Sequence, residues 1–327
     1  MIPLHVSIDL GTANVLVALR RRGIIVNEPS VVAYDKNAGK VLAVGAGALD
    51  MLGKTPGHIV AMRPLRDGVI VNLSVTETML RYFLRRAARF RRIMLTICVP
   101  SCVTPVERRA VREAAYAAGA AKVWIIEEPL AAAYGAGLDM RSLSGRMVID
   151  IGGGTTDIAV ISGESVIVSD SVKAAGSHID EAIIRMLRRE YGLIVSDRTA
   201  ENLKIHLGCA VKQSFAREME VSGSDAVDGL PKTKLVNSAV LTDAIAEPLE
   251  AIAQAAASVL ARTAPELSAD LCENGAVLTG GGALLEGIGE FLQNRLNIPA
   301  VPAEEPLLCA VKGLNMINTG KIDPEPR

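Results

Sequence analysis

This 327-residue sequence has few aromatic residues, almost no imbalance of charge and no long apolar runs. Phe, Trp and Tyr make up 3% of it, whereas hydrophobic residues make up 50%, so the core must be built mainly from Ala, Val, Ile and Leu. The 35 basic and 36 acidic residues nearly cancel, which argues against global attraction to nucleic acid. We therefore expect a large aliphatic core and no nucleic-acid partner.

No apolar run reaches the roughly 18 residues that a membrane-spanning helix needs. The first residues lack the charged front and the cleavage site of a signal peptide, so we expect a cytoplasmic protein. Cysteines are also few, and they lie scattered in apolar segments. Their odd number favours reduced thiols over a disulfide framework, and their spacing completes no tetrahedral metal site. The five are Cys98, Cys102, Cys209, Cys272 and Cys309.

Strand-like apolar runs alternate with helical patterns along almost the whole chain, which predicts an α/β fold. Thr104 and Glu107 form a capping box around Pro105, and Gly119 ends the helix that follows. A polar loop at residues 139–146 marks the main domain boundary. We therefore assign residues 1–142 to a first domain and 143–317 to a second, and expect 318–327 to form a loose tail.

One motif is used twice in this sequence. Residues 8–19 (IDLGTANVLVAL) and 149–160 (IDIGGGTTDIAV) each place an Ile-Asp strand end before a Gly/Thr turn and a second apolar strand. Glycines let backbone N–H groups converge on an anion, which is what a phosphate cradle requires. The repetition predicts two similar α/β halves that face each other across a cleft.

Acidic residues accompany these turns. Asp9 and Asp150 end the two strands, and such carboxylates can hold Mg²⁺ or its waters beside a phosphate. Glu128 precedes Pro129 at a predicted helix start, where an acid either caps the helix or orients an attacking water.

A third glycine cluster, residues 280–282, follows a strand and opens a helix, which is where nucleotides and phosphates commonly lie. On another predicted helix, Glu201 and Lys204 share a face because they are three residues apart. They are either an ordinary surface ion pair or a contact to ribose and adenine.

The motifs together resemble the MreB/Mbl family of bacterial actin-like cell-shape proteins, from about residue 4 to residue 317. In chain order they read IDLGTAN, NEPSVVA, RPLRDGVI, VERRAV, IEEPLAAAYGAG, VIDIGGGTTDIAVIS, RTAENLK and VLTGGGALLEG. The resemblance implies the actin/sugar-kinase/chaperone ATPase fold, with two related α/β domains around a nucleotide cleft. It also implies a smaller subdomain in each, at about residues 33–74 and 179–241.

The resemblance assigns roles to individual residues. Glu128 and Thr155 are implied to act on the hydrolytic water, and Asp9 and Asp150 to hold Mg²⁺ through water. The residues implied to bind the nucleotide are Gly11, Thr12, Ala13, Asn14, Gly152, Gly153, Gly154, Thr155, Thr156, Glu201, Lys204, Gly280, Gly281 and Gly282. Two positions depart from the family pattern: Asp157 stands where Glu is usual, and Ser177 where Asp is usual.

The function that the resemblance implies is ATP hydrolysis coupled to polymerisation on the inner face of the cytoplasmic membrane. Such filaments guide cell-wall synthesis, with partners such as RodZ, MreC and MreD. The alternatives are a monomeric ATPase of the same superfamily and a filament scaffold that binds ATP with little turnover. The intact Glu128 and Thr155 argue against the scaffold.

The expected membrane contact is a short loop at residues 87–93, where Phe90 lies among Arg89, Arg91 and Arg92. Basic residues near an anionic surface add about 1 kcal/mol each, and one aromatic side chain adds a weak apolar anchor. The sequence therefore predicts weak attachment by a monomer and stronger attachment by a filament that repeats the site.

Overall fold

Strands and helices alternate along the chain in the computed structural model, which describes residues 3–20, 22–88, 91–317 and 325. The strands are β1 (Leu4–Leu10), β2 (Asn14–Leu19), β3 (Gly23–Pro29), β4 (Val32–Asp35), β5 (Lys40–Val44), β6 (Ile59–Met62), β7 (Leu65–Arg66), β8 (Val69–Ile70), β9 (Ile93–Val99), β10 (Ala120–Glu127), β11 (Arg146–Ile151), β12 (Thr156–Ser162), β13 (Ser165–Val172), β14 (Leu193–Ile194), β15 (Glu218–Asp225), β16 (Pro231–Asn237), β17 (Ala276–Thr279) and β18 (Ala300–Pro302). The helices are α1 (Ala46–Leu49), α2 (Leu73–Ala87), α3 (Pro105–Ala117), α4 (Glu128–Gly135), α5 (Gly176–Tyr191), α6 (Asp197–Leu207), α7 (Ser238–Ala261), α8 (Pro265–Asn274), α9 (Ile288–Leu296) and α10 (Cys309–Met316).

Two five-stranded sheets have the same topology. The first has the order β10-β9-β1-β2-β3 and the second the order β18-β17-β11-β12-β13. In each, the first three strands in sequence form an antiparallel meander, and two later strands add in parallel on its open side. The repeated sequence motif thus corresponds to a repeated fold, and the predicted α/β class is confirmed.

Each half also carries a small three-stranded antiparallel sheet. The order is β5-β4-β6 in the first half and β14-β15-β16 in the second. These sheets lie within residues 32–62 and 193–237, inside the segments that the sequence assigned to the smaller subdomains apart from Val32. They stand on either side of the opening between the two large sheets, where Arg198 of α6 approaches Asp50 at 3.5 Å.

The last helix, α10, belongs with the first half of the molecule. Its Val311 packs against Leu16 and Ala18 of β2, although the sequence assigned residues up to 317 to the second domain. α10 also contacts α4 closely: a Cβ atom on Gly313 would lie 1.7 Å from the Ala131 carbonyl oxygen. The predicted domain range is corrected here, because periodicity shows that a helix has an apolar face but not which sheet covers it.

Helix ends mostly follow the local signals. The Thr104–Glu107 capping box is formed, and Gly192 ends α5 in the left-handed conformation at φ 58°. The Ala-rich pattern of residues 241–267 predicts a single helix, but the structure has two, because α7 ends at Ala261 and Pro265 begins α8. Proline is well suited to a first helical turn, so it started a helix where we had expected one to continue.

α7 is the one helix of the described residues long and apolar enough to cross a membrane by length and composition. Its Leu241, Ile245, Leu249 and Ile252 are buried in the core of the second half, together with strands of the large sheet. We therefore interpret its apolar character as that of a core helix.

One residue of the C-terminal segment, Glu325, lies among the described residues. Glu325, in the segment predicted to be loose, forms an ion pair with Arg108 of α3 at 2.6 Å. Its backbone N–H also donates to the Val123 carbonyl of β10 at 2.8 Å. The prediction of a loose tail is therefore wrong at this residue, because composition does not show that a partner lies within reach.

Two of the four residues predicted to contact a membrane, Arg89 and Phe90, lie outside the described residues. Arg91 and Arg92 are exposed just before β9.

Candidate functional site

The two glycine turns face each other across the cleft. Gly11 to Ala13 join β1 to β2, and Gly152 to Thr155 join β11 to β12. A Cβ atom on Gly153 would lie 2.7 Å from the Cβ of Ala13. The glycines are therefore required for the turns to approach one another as well as for backbone access to a ligand.

Neighbouring side chains fix both turns. The Ser30 hydroxyl donates to the Gly11 carbonyl at 2.5 Å, and Arg63 donates to the Ala13 carbonyl at 3.0 Å. On the other side, the Ser177 N–H and hydroxyl both donate to the Gly153 carbonyl, at 2.8 and 2.7 Å. Ser177, which departs from the family pattern, thus holds the second turn in place. The carbonyls of these turns are thus hydrogen-bonded within the protein, as expected of turns whose backbone N–H groups bind an anion.

A cavity of about 540 Å³ lies between the turns, a volume typical of small-molecule sites. Nearly every residue implied to bind nucleotide, metal or water lines it. These are Asp9, Gly11, Thr12, Ala13, Asn14, Glu128, Asp150, Gly152, Gly153, Gly154, Thr155, Glu201, Lys204, Gly280, Gly281 and Gly282. The structure therefore brings together residues from five separate stretches of the chain.

Thr156 is the exception, and its assignment to the nucleotide is corrected. Its side chain is fully buried on β12, and its hydroxyl donates to the Ala174 carbonyl at 2.6 Å. Successive residues of a strand point to opposite faces, so Thr155 faces the cleft and Thr156 faces the core.

Four carboxyl groups lie deep in the cleft. Burial raises the pKa of Asp150 to about 8, with the charges of Asp9 and Asp157 adding to the effect. Burial also raises the pKa of Asp9 to about 6, against the opposing effect of a hydrogen bond from the Cys98 thiol at 3.4 Å. The pKa of Glu128 is raised well above its usual range by burial first and then by the neighbouring acids. Such a cluster favours a bound cation or shared protons.

The donor set fits a divalent cation. Lys204 is the one basic side chain among the described residues that line the cavity, and it binds the Asp180 carboxylate and the Gly176 carbonyl. Asp9 and Asp150 therefore have no basic partner within the lining. Carboxylate oxygens beside a phosphate cradle are ligands that Mg²⁺ prefers, directly or through water.

Lys204 does not pair with Glu201, although the two share a face of α6. It contacts Asp180 of α5 at 2.8 Å, while Glu201 is exposed at the rim of the cavity. Burial raises the pKa of Asp180 to about 6 despite this ion pair. Lys204 thus also links α5 to α6, a role that helix spacing did not indicate.

An apolar end of the cavity was missed from the sequence. Ile205 and Leu284 line it and are 66% and 64% exposed, and Leu285 and Leu307 lie beside them. Exposed large aliphatic side chains around a cleft suit a flat ring such as a purine. The sequence does contain one signal of this apolar end. Ile205 is an apolar residue on the outer face of a polar helix, one turn after Glu201.

Comparison with known proteins decides the family. A family model described as MreB/Mbl protein matches residues 3–323. The chain is 47% identical over 315 residues to the cell shape-determining protein Mbl of Bacillus subtilis, covering 95% of both chains. It is also 47% identical to the cell shape-determining protein MreB of Escherichia coli, covering 94% of this chain and 91% of the relative.

This chain belongs to the MreB/Mbl family. Its fold is correspondingly similar to that of MreB5 of Spiroplasma citri, solved with ADP, at a TM-score of 0.93 and 36% identity over 98% of this chain and 97% of that one. The same protein solved with AMPPNP gives 0.93 at 35% identity, with the same coverage. A double helical filament of MamK, at 0.80 and 21% identity, covers 96% of this chain and 98% of that chain and supports the actin-like fold.

The position where this MreB/Mbl chain has Asp157 lies beside Glu128 and Thr155. Asp157 is fully buried, it accepts the Ser101 N–H at 2.7 Å, and its Oδ2 has no hydrogen-bond partner. Its charge raises the pKa of Glu128, and the Thr155 hydroxyl lies near enough to lower the pKa of Asp157. The shorter acid therefore keeps a carboxylate next to both residues implied to act on water.

We expect the pH dependence of stability to reveal the buried Asp150. In protein free of nucleotide and divalent cations, the Asp150 carboxyl group binds its proton more tightly in the folded state than in the unfolded state, where its pKa is near 3.8. The free energy of unfolding should therefore fall as pH rises from about 4 to about 8. Asp150→Asn should remove part of that fall and stabilise the protein at pH 8 by about 2 kcal/mol or more.

Urea unfolding in EDTA at pH 5 and pH 8 measures this effect. Asp139→Asn is the matched control, because Asp139 is exposed in the interdomain loop. Equal pH dependence in the wild type and Asp150→Asn would contradict a buried, proton-binding Asp150.

Proposed function

We propose that this chain is an actin-like ATPase that polymerises on the inner face of the cytoplasmic membrane and helps to determine cell shape. One observation carries the catalytic part of the proposal: two opposed glycine turns and the acids Asp9, Asp150 and Glu128 line a single cavity. The family, and solved relatives bound to ADP and AMPPNP, support a nucleotide as the ligand.

The chemistry proposed for the site is hydrolysis of the terminal phosphate of ATP. The glycine turns hold the phosphates from both sides through backbone N–H groups. Asp9 and Asp150 would hold Mg²⁺, which supplies positive charge to the phosphate oxygens. Glu128 orients the attacking water and accepts its proton. Thr155, which lies beside Asp157, would fix the other side of the water.

Closure of the cleft connects the nucleotide to assembly. His178 of α5 lies 3.8 Å from Asp67, and Arg66 lies 3.9 Å from Glu181, so the two halves meet beside the turns. A ligand that binds both halves stabilises this closed arrangement by its differential affinity for it. A head-to-tail contact that repeats without closing on itself then produces a filament.

Assembly is tested by sedimentation and electron microscopy with ATP·Mg²⁺, with ADP and without nucleotide. We expect polymer in the pellet with ATP·Mg²⁺ at a protein concentration where the nucleotide-free protein stays in solution. Phosphate release without polymer at any protein concentration, with or without lipid, would favour the monomeric ATPase instead.

The proposed membrane contact rests on charge and repetition. Arg91 and Arg92 are exposed beside the segment that contains Phe90. We expect filaments to float with anionic liposomes and to lose this binding at high salt, because the attraction is largely electrostatic. Arg91→Ala with Arg92→Ala should reduce flotation several-fold, whereas Arg141→Ala with Arg188→Ala, an equal charge change at two exposed positions elsewhere, should not. Equal flotation of both variants would place the contact elsewhere.

The partners proposed for such filaments are the cell-wall elongation proteins RodZ, MreC and MreD. This proposal of partners rests on the chain's membership of the MreB/Mbl family.

A further inference from the structure

Glu325 is bound through its side chain and both of its backbone polar groups. Its carboxylate accepts from Arg108 Nε at 2.9 Å and Nη2 at 2.6 Å, with Arg112 at 3.9 Å. Its carbonyl accepts from the Tyr116 hydroxyl at 2.5 Å, and its N–H donates to the Val123 carbonyl at 2.8 Å. We call Arg108, Arg112, Tyr116 and the Val123 carbonyl the α3 notch.

The notch lies along an open sheet edge. β10 pairs with β9 on one side, and no other strand of the described residues pairs with its second side. Two carbonyls of β10 point to that side: Val123, which binds Glu325, and Ile125, which accepts from Arg108 Nη2 at 3.2 Å. An uncovered edge of this kind is a template for pairing with another chain.

The local sequence around Glu325 suits this edge. Glu325 lies between Pro324 and Pro326, and a residue before proline favours the extended backbone that strand pairing requires. Neither proline has an N–H, so Glu325 supplies the one backbone donor of the triplet. The segment can make one hydrogen bond to β10 but offers little to a further strand, which is how proline protects sheet edges.

We propose that the α3 notch is a docking site for the chain's own C-terminal segment around Glu325, and that the docked segment covers the open edge of β10. Both Arg108 donors bind the same carboxylate oxygen, Oε1, so the carboxylate provides specificity through charge-assisted hydrogen bonds, which are stronger than neutral ones. The backbone contacts at Val123 and Tyr116 then set the segment along the strand.

Hydrogen exchange of the Glu325 amide in the full-length, nucleotide-free chain tests the docking. Within residues 323–327 only Asp323, Glu325 and Arg327 have an amide N–H, so a C-terminal fragment reports on few sites. Arg108→Gln should speed the exchange of this amide about tenfold, because it removes charge-assisted hydrogen bonds from the docked segment.

Arg109→Gln is the matched control. Arg109 is the next residue of α3, carries the same charge, and pairs with Glu113 instead. Its substitution should leave the exchange of the Glu325 amide at the wild-type rate. A wild-type amide that exchanges at the rate of an unstructured peptide, or the same rate in all three proteins, would overturn the proposal.

A competing peptide tests whether the α3 notch recognises the Glu325 carboxylate. A synthetic peptide of residues 318–327, in excess, should speed exchange of the protein's own Glu325 amide, whereas the Glu325→Gln peptide should not. Equal effects of the two peptides would overturn the role of the carboxylate.

Sedimentation velocity tests the covering of the edge. Arg108→Gln should self-associate more than the wild type and more than Arg109→Gln in the absence of nucleotide. Identical distributions for the three proteins would overturn the covering role.

Discussion

Replacing Glu128 with Ala is expected to lower ATP turnover by about 10²-fold or more while nucleotide affinity stays almost unchanged. Glu128 begins α4 beneath the phosphate cradle, with Asp9, Asp150 and Asp157 close enough to raise its pKa. A carboxyl group there exchanges a proton with water, but a third acid beside bound phosphates adds little to ground-state binding. Phosphate release and the affinity for a fluorescent ATP analogue, measured on the same preparation, separate the two effects.

Glu127→Ala provides the control for that experiment. Glu127 is the preceding residue, at the end of β10, and it does not line the cavity. We expect it to retain turnover within about threefold of the wild type. If Glu128→Ala releases phosphate at the wild-type rate, the assignment of Glu128 is wrong. If the wild type itself releases almost none while still polymerising, the scaffold reading is favoured.

Replacing Gly153 with Val is expected to lower ATP affinity by about 10²-fold or more. The new Cβ would lie 2.7 Å from the Ala13 Cβ and 3.1 Å from the Ala13 N, so one turn must move away from the other. A displacement of about 1 Å in a preorganised site is enough to cost a factor of this size. The cost in stability should be smaller, about 1–3 kcal/mol, because the clash is confined to two loops.

Isothermal titration with ATP·Mg²⁺ measures the affinity, and thermal unfolding without nucleotide shows whether the variant folds. Gly47→Val is the matched control: Gly47 lies in α1, where a Cβ would meet only Ala43 at 3.7 Å. A folded Gly153→Val protein that binds ATP as tightly as Gly47→Val would contradict the phosphate cradle between the turns.

Local sequence signals identified much of this site in advance. Two Ile-Asp-Gly-Thr motifs predicted two related halves, and the structure has two sheets of identical topology with those motifs at facing turns. The Thr104 capping box was also formed as predicted. These features could be recognised because turn, cap and strand preferences depend on a few adjacent residues.

Other assignments depended on which surfaces meet. The sequence placed Thr156 on the nucleotide, but strand alternation in the folded sheet turns it to the core. An ion pair between Lys204 and Glu201 was one of the two alternatives from the sequence, whereas Lys204 contacts Asp180 of a different helix at 2.8 Å. The apolar residues Ile205 and Leu284 come from separate elements, so their common cavity was not visible in either segment alone.

By itself, the sequence determined the α/β class, the repeated phosphate turns and the acids that accompany them, since these follow from local conformational preferences and chemistry. Only the tertiary structure decided that α10 returns to the first half and that Glu325 docks against α3. It also decided that Asp157 lies beside Glu128. These arrangements join residues far apart in the chain, and their free energies come from surfaces and charges that become neighbours only when the chain has folded.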